Sequence, residues 1–446
     1  MRKHWKLIAY LLGFLVLTVT LALTQPLSDP DQLTAPPDEN SRYLIPTYIY
    51  EHGTLPTGLE EEVRISGYGF SYALYNAFPY IVMGLAMRAV GLINADPAVL
   101  LMTARFVNVM AGFLMAWVVY LLAKRIFQEG KSQWLFCLAI TYQPMNLFIH
   151  SYVNTDSFCM LSTALIAYGL VRLYQEKADL RSCLWIAGGV TLCALSYYNA
   201  YGYILATVIL FAARFMKDGK AIQREDGLKA FMKYGALTAV LVLAGAGWWF
   251  IRQGIVLNGD FLGLRTRAAM TAVYGAPEIQ QANSFSGQGY SYIGMIGEMF
   301  RRQLPAKMAA TLIAAYGAMT VRPQTWFYIL YTLVWGAGLI GCVIRIPSLI
   351  REKQKTGWKR KLFHACMLMC VILPLILFLQ YCYTTDYQEQ GRYLLPALIP
   401  AMYYVTKGLD RFGEKACCCA SAVIVFCAAW QVFAVALPAY LSNNPL

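Results

Sequence analysis

Leu7–Leu23 reads LIAYLLGFLVLTVTLAL, seventeen residues without a charge, and APPDENSRY follows shortly after it at Ala35–Tyr43. The first run is long enough to cross the roughly 30 Å hydrocarbon core of a bilayer as a helix. The second places Asp38, Glu39 and Arg42 just beyond its end. Working outward, similar apolar runs fall at about 99–123, 133–150, 156–173, 183–199, 201–216, 233–251, 326–345, 363–383, 393–407 and 416–438, which makes eleven spans. An all-α integral membrane protein forming a single membrane domain over 1–446 is therefore expected. The adjoining stretches at 183–199 and 201–216 are short enough to form a hairpin that does not fully cross.

Composition agrees. Hydrophobic residues make up 58% of the 446 and charged residues 14%, about half the usual charged share of roughly 25%. So little polar surface cannot wrap so large a core, which excludes a soluble enzyme, a disordered tail and a fibrous protein. The formal charge of +13 would suggest nucleic acid in a soluble chain; here the bias of basic residues toward the cytoplasm accounts for it, and no nucleic-acid partner is expected. With the N-terminus inside, twenty-five basic and nine acidic residues fall on the cytoplasmic side, against twelve and fifteen outside. 'LALTQPL' lacks a small-x-small cleavage site, so the first run reads as an uncleaved anchor. The run 70–95 would invert every later loop if it crossed, so it is read as a helix in the outer interface. Two outer segments are then long, 24–98 and 252–324, and loops of that length are usually functional. The plasma membrane of a bacterium, with a site on the outer face, is the expected location.

The chemistry-bearing residues cluster at that face. Asp38 and Glu39 are adjacent carboxylates, and Arg42 shares a helix face with Asp38 if a helix begins there. The same pattern suits a helix N-cap at Asp38 with Glu39 on the helix dipole. Of the twelve outer basic residues eleven are arginine, Lys307 being the exception, and arginine is the better bidentate partner for phosphate. Arg105, in LLMTARFVNVM, and Arg392, in QEQGRYLLPALIP, enter the hydrocarbon edge, where a cation needs a partner or must snorkel to lipid phosphate. Asp156, in SYVNTDSF, serves as a helix cap or a site group. Tyr290, in NSFSGQGYSYIG, suits a sugar or lipid headgroup, and so does an ordinary loop. Asp29-Pro30-Asp31 is a D-x-D pair of the kind that holds a divalent ion against a diphosphate, a pattern common by chance. Cys417-Cys418-Cys419 has no companion Cys/His cluster, and the four histidines show no ligand spacing. No cofactor or metal is required, although a divalent cation stays open.

Taken together, PPDENSRY with HGTLP, the span holding Arg105, NTD, GWWFIRQ with NGD, and QGRYLLPAL resemble the GT-C superfamily of membrane glycosyltransferases. The likeness is to the branch of protein O-mannosyltransferases and lipid A aminoarabinose transferases, and to a related uncharacterised set of multi-spanning bacterial membrane proteins. The resemblance implies a GT-C-like fold and transfer of a sugar from a polyprenyl-phosphate carrier to a glycan, lipid or protein acceptor, with inversion. It implies that Asp38 is the general base, that Glu39 bonds acceptor or donor, and that Arg105 and Arg392 contact the lipid phosphate or sugar. Where several relatives carry a lysine near the hairpin, this chain has Tyr197-Tyr198-Asn199. A transporter or flippase of lipid-linked sugars is the alternative; the near absence of ionisable residues from the span centres speaks against it. A non-catalytic membrane subunit is a third reading, under which Asp38 and Glu39 are dispensable.

Overall fold

The computed structural model describes residues 4–27, 33–176, 178–216, 225–277, 284–351 and 357–443. Asp29-Pro30-Asp31 lies outside them. The described chain is helical, and one isolated bridge, Tyr316 to Val321, is its only β pairing. Seven of the expected spans coincide with helices long and apolar enough to cross a membrane, among them α1 (Trp5–Thr24) and those over 325–344 and 358–384. The other four are shorter or broken, for reasons visible in the sequence. The expected span 133–150 divides into α5 (Lys131–Thr141) and α6 (Pro144–Ile149). Pro144 opens the second helix, and Gln143 before it is extended, as a residue preceding proline prefers. The expected span 393–407 starts as a 3₁₀ turn over Gly391–Ala397 containing Pro396 before the helix Leu398–Asp410. The pair α8 (Leu180–Ala194) and α9 (Tyr201–Phe215) has fifteen residues each, below the ~20 that a full crossing takes.

α2 (Glu39–His52) follows α1 after a turn at Pro26, and α3 (Phe78–Gly91) packs back on α2. Fourteen residues are too few for α3 to span. α4 (Pro97–Ile126) runs through the centre, against α1, α3 and α7 (Asp156–Gln175). The helices Thr325–Arg351 and Leu398–Asp410 cross with backbones in contact, because Gly338, Gly341 and Gly408 present no side chain there. Leu228, Val240, Leu243, Ile251 and Ile255 point outward along 227–256, the surface expected of a helix facing lipid.

The two long segments meet at one end of the bundle. Arg252 donates to the Leu55 and Pro56 carbonyls at 3.0 and 2.9 Å, Gln253 to Leu74 O at 3.1 Å, and the Ala276 N–H to Gly67 O at 2.9 Å. The end of α1, the starts of α4 and α7 and the 3₁₀ turn Gly391–Ala397 open onto the same end, so residues far apart in sequence converge there.

Candidate functional site

Asp38 precedes the first residue of α2 but does not cap it. Its side chain bonds none of the helix N–H groups, and its backbone is left-handed, with φ 63°. A non-glycine residue pays of order 1 kcal/mol for that conformation. What the conformation achieves is to turn the carboxylate away from its own helix and toward two guanidinium groups. Arg392 Nη2 donates to Asp38 Oδ2 at 2.8 Å, and Arg42 Nη2 stands 3.7 Å from the same oxygen. The helix places Arg42 one turn after Asp38, as anticipated. Arg392 arrives from the other end of the chain on its 3₁₀ turn.

Tyrosines orient both arginines. Arg392 Nη1 donates to the Tyr152 hydroxyl at 2.7 Å. Arg42 Nη1 donates to the Tyr80 hydroxyl at 3.4 Å, and its guanidinium lies 4.9 Å over the Tyr72 ring. Tyr152 is held in turn by its backbone: its carbonyl accepts from Asn108 and Asn154. The side chain of Asp38 is 38% exposed, while those of Arg392 and Arg42 are 3% and 9% exposed. The carboxylate is thus the open member of a group whose cations are walled in. Burial pushes the Asp38 carboxyl up, but Arg392 and Arg42 outweigh it and hold it below its ordinary value.

Glu39 and Arg105 come together in a second, sealed pair, and the roles expected of them need correction. Arg105 Nε and Nη2 donate to the two Glu39 oxygens at 2.9 and 2.6 Å; Nη1 donates to Ala22 O and Gln25 O at 2.9 and 2.7 Å, and Nη2 also to Pro26 O at 3.3 Å. All five guanidinium N–H groups are committed. Glu39 also accepts the Val153 N–H at 2.8 Å, and both side chains are fully enclosed. Every Arg105 donor is therefore met by protein, and Glu39 faces the interior and not the opening. The pair ties the end of α1, the start of α2, α4 and the turn 150–155 together directly beneath Asp38.

Asp156 is buried in the first turn of α7, near enough to Tyr80, Tyr152 and Arg392 to act on them electrostatically. Tyr290 is not brought to the site; it stands edge-on to Phe285, with ring centroids 5.5 Å apart, beside the Glu298–Arg301–Arg302 cluster. Asp260 bonds Thr266 N–H and hydroxyl and serves the helix Leu264–Tyr274. The one three-ligand group found among the described residues, Glu51, His52 and Glu62, is exposed and at the far end of α2. Reasoning from sequence did not place Tyr72, Tyr80 and Tyr152 beside the two arginines. Tyr197-Tyr198-Asn199 does border the site: Asn199 donates to Tyr393 O at 3.3 Å.

No curated protein matches the chain. Among solved structures, ArnT from Cupriavidus metallidurans, crystallised bound to undecaprenyl phosphate, matches with a TM-score of 0.52 at 13% identity, over 93% of this chain and 62% of ArnT. The arabinofuranosyltransferase AftD from Mycobacteria also gives 0.52, at 12% identity, over 95% of this chain and 26% of AftD. The chain thus spans less than two thirds of either protein. At such identity the likeness is one of fold alone, a helical membrane fold shared with ArnT and AftD. A family model described as "Predicted membrane protein (DUF2142)" matches residues 49–400, and the chain belongs to that family.

Proposed function

We propose that this protein is a membrane glycosyltransferase that moves a sugar from a polyprenyl-phosphate carrier to an acceptor at the outer face, inverting the anomeric centre, with Asp38 as general base. The observation that carries this reading is the part-exposed Asp38 carboxylate held between two walled-in arginines at the loop end of a GT-C fold. The likeness to an ArnT crystallised with undecaprenyl phosphate supports a phosphate-bearing lipid as donor. Outside a membrane no nucleotide-sugar is supplied, so a lipid-borne donor suits the location.

Arg392 and Arg42 are the phosphate-binding residues in this proposal, in place of Arg105. An entering phosphate competes with Asp38 for both cations. Its arrival loosens the ion pair and returns the carboxylate's proton affinity toward the ordinary value just as the acceptor binds. The sugar–phosphate bond then breaks, and the two guanidinium groups stabilise the charge that develops on the departing phosphate. Positioned donors of this kind are worth roughly 3–4 kcal/mol each.

The test is mass analysis of envelope glycans from cells with and without the gene. A glycan present only with the gene supports the proposal. Lipid-linked sugar that crosses the leaflets of reconstituted vesicles without being consumed would make the protein a carrier instead. Arg392→Ala is expected to weaken undecaprenyl phosphate binding by roughly 10- to 100-fold, the value of a hydrogen bond to a charged group. Unchanged affinity in a titration of the purified variant would remove Arg392 from the phosphate role.

A further inference from the structure

A cavity lies at the end of the bundle away from Asp38. It measures about 250 Å³ and is walled by the last turns of α4 and α7, by α9, and by the helices Trp358–Thr384 and Leu398–Asp410. Leu122 lines it on α4, which puts it roughly 25 Å along that helix from Arg105. The cavity marks a seam in the packing. Leu122, Phe136 and Ile399 on one side belong to one packed core, while Ala206, Leu210 and Cys370 on the other belong to a separate one.

Its wall suits an apolar ligand. The Tyr174 hydroxyl donates to Leu210 O at 2.9 Å, the Tyr203 hydroxyl to Pro396 O at 2.8 Å, and the Gln175 amide to Arg125 O at 2.7 Å. These polar tips are held by the protein, and the surface left to the cavity is aliphatic, aromatic and thiol. A wall of this kind does not hold water, and while the space is empty its lining atoms lose dispersion partners.

The rim is basic. Ile126, Tyr174, Phe363 and Tyr403 are half-buried at the helix ends, while Leu122, Leu170 and Cys370 lie deeper and are buried. Lys359 stands one turn before Phe363 and Lys407 one turn after Tyr403, so each shares a helix face with the wall. Lys359 Nζ donates to Arg214 O at 3.2 Å, and Lys407 Nζ lies 4.5 Å from the centroid of the Phe127 ring, which keeps both ammonium groups against the bundle. The carboxylates nearby are engaged: Glu176 by Arg125 and Arg172 at 2.8 and 2.7 Å, Asp179 by Arg172 at 2.7 Å, and Asp410 by the Ser132 hydroxyl. The Arg214 guanidinium meets only carbonyls in its described bonds, those of Leu173 and Glu176. Arg214, Lys359 and Lys407 thus leave the rim positive.

We propose that this cavity binds one acyl chain of an anionic phospholipid, with the lipid's phosphate resting at the basic rim. The surrounding membrane supplies such chains, and the rim charge selects headgroups that are negative overall. Each basic residue near a lipid surface is worth roughly fivefold in affinity. The bound chain fills the seam and joins the two cores that meet across it. This site is distinct from the one that holds Asp38, Arg42 and Arg392, and it does not depend on the transferase reading.

Photolabelling tests the proposal on the purified full-length protein. Phosphatidylglycerol with a diazirine on its acyl chain is added in detergent and irradiated, and the labelled peptides are identified by mass spectrometry. Labels are expected within 167–175, 203–210 and 363–370. The matching phosphatidylcholine probe is expected to label these peptides about tenfold less. Lys359→Gln with Lys407→Gln should bring the phosphatidylglycerol label down to the phosphatidylcholine level. Phosphatidylglycerol should raise the melting temperature of the native protein and not that of the double variant. Ala206→Leu, which fills the cavity, should lose the label while melting like the native protein without added lipid. If Ala206→Leu does not fold, the lysine variant still decides. Equal labelling by the two headgroups, or a label unchanged in the lysine variant, overturns the proposal, as does a label spread over the lipid-facing helix 227–256 and absent from the cavity. Displacement of the label by equimolar undecaprenyl phosphate overturns it too, giving the cavity to that lipid's tail; a label that persists beside undecaprenyl phosphate is the expected result.

Discussion

Asp38→Asn is expected to lower sugar transfer by about 10²- to 10⁴-fold, the usual value of a positioned general base, while leaving the protein folded. The amide has the shape of the carboxylate, and its oxygen still accepts from Arg392, so the 2.8 Å contact survives in neutral form. The same change removes the anion that competes with a phosphate for Arg392 and Arg42. Undecaprenyl phosphate should therefore bind the variant at least as tightly as it binds the native protein. Loss of turnover with retained or improved binding separates a base from a binding residue, for which Arg392→Ala should show the reverse balance. Transfer at the native rate by Asp38→Asn would remove this residue from the reaction. The pH dependence adds a second check. A carboxyl held low in the folded state contributes stability above its unfolded pKa, about 3.9, and loses that contribution as pH falls through its lowered value. Asp38 thus stays ionised from pH 5 to 8, and transfer should show no acid limb from this residue in that range.

How much of this was legible in the chain follows from which contacts are local. Apolar runs are local, so the membrane class and the positions of the long helices could be read directly, whereas the breaks at Pro144 and Pro396 divide two expected spans. Asp38 and Arg42 are four residues apart on one helix, a spacing that places them together. Arg392 was visible as a cation at a span's edge, although not its partner 354 positions away. Glu39 was misread because adjacent carboxylates in sequence look like a functional pair. At the start of a helix, neighbours point about 100° apart, and here one faces the opening while the other faces the interior. Arg105 advertised the cost of a charge at the membrane edge, but not whether protein or ligand would meet that cost.

The largest effect on stability is expected at Arg105. Truncation to alanine leaves Glu39 enclosed without its cation, with the Val153 N–H its remaining partner among the described residues, and strips a donor from the carbonyls of Ala22, Gln25 and Pro26. Removing one member of a buried ion pair typically costs about 3–5 kcal/mol, of the order of the whole stability margin of many domains. Arg105→Ala should accordingly be scarce in membranes or melt well below the native protein in detergent. Arg105→Lys should recover little, because an ammonium cannot reproduce two parallel bonds to Glu39 together with three to carbonyls. The double change Glu39→Gln with Arg105→Met should recover part of the loss, since no buried charge then lacks a partner. A phosphate-binding arginine would behave otherwise: its alanine variant would fold normally and bind undecaprenyl phosphate weakly. Normal melting with weakened binding in Arg105→Ala would return this residue to the substrate and refute the structural role. Low melting, with native affinity for undecaprenyl phosphate in whatever folded Arg105→Ala can be purified, would confirm that the pair beneath Asp38 holds the site in place without meeting the lipid.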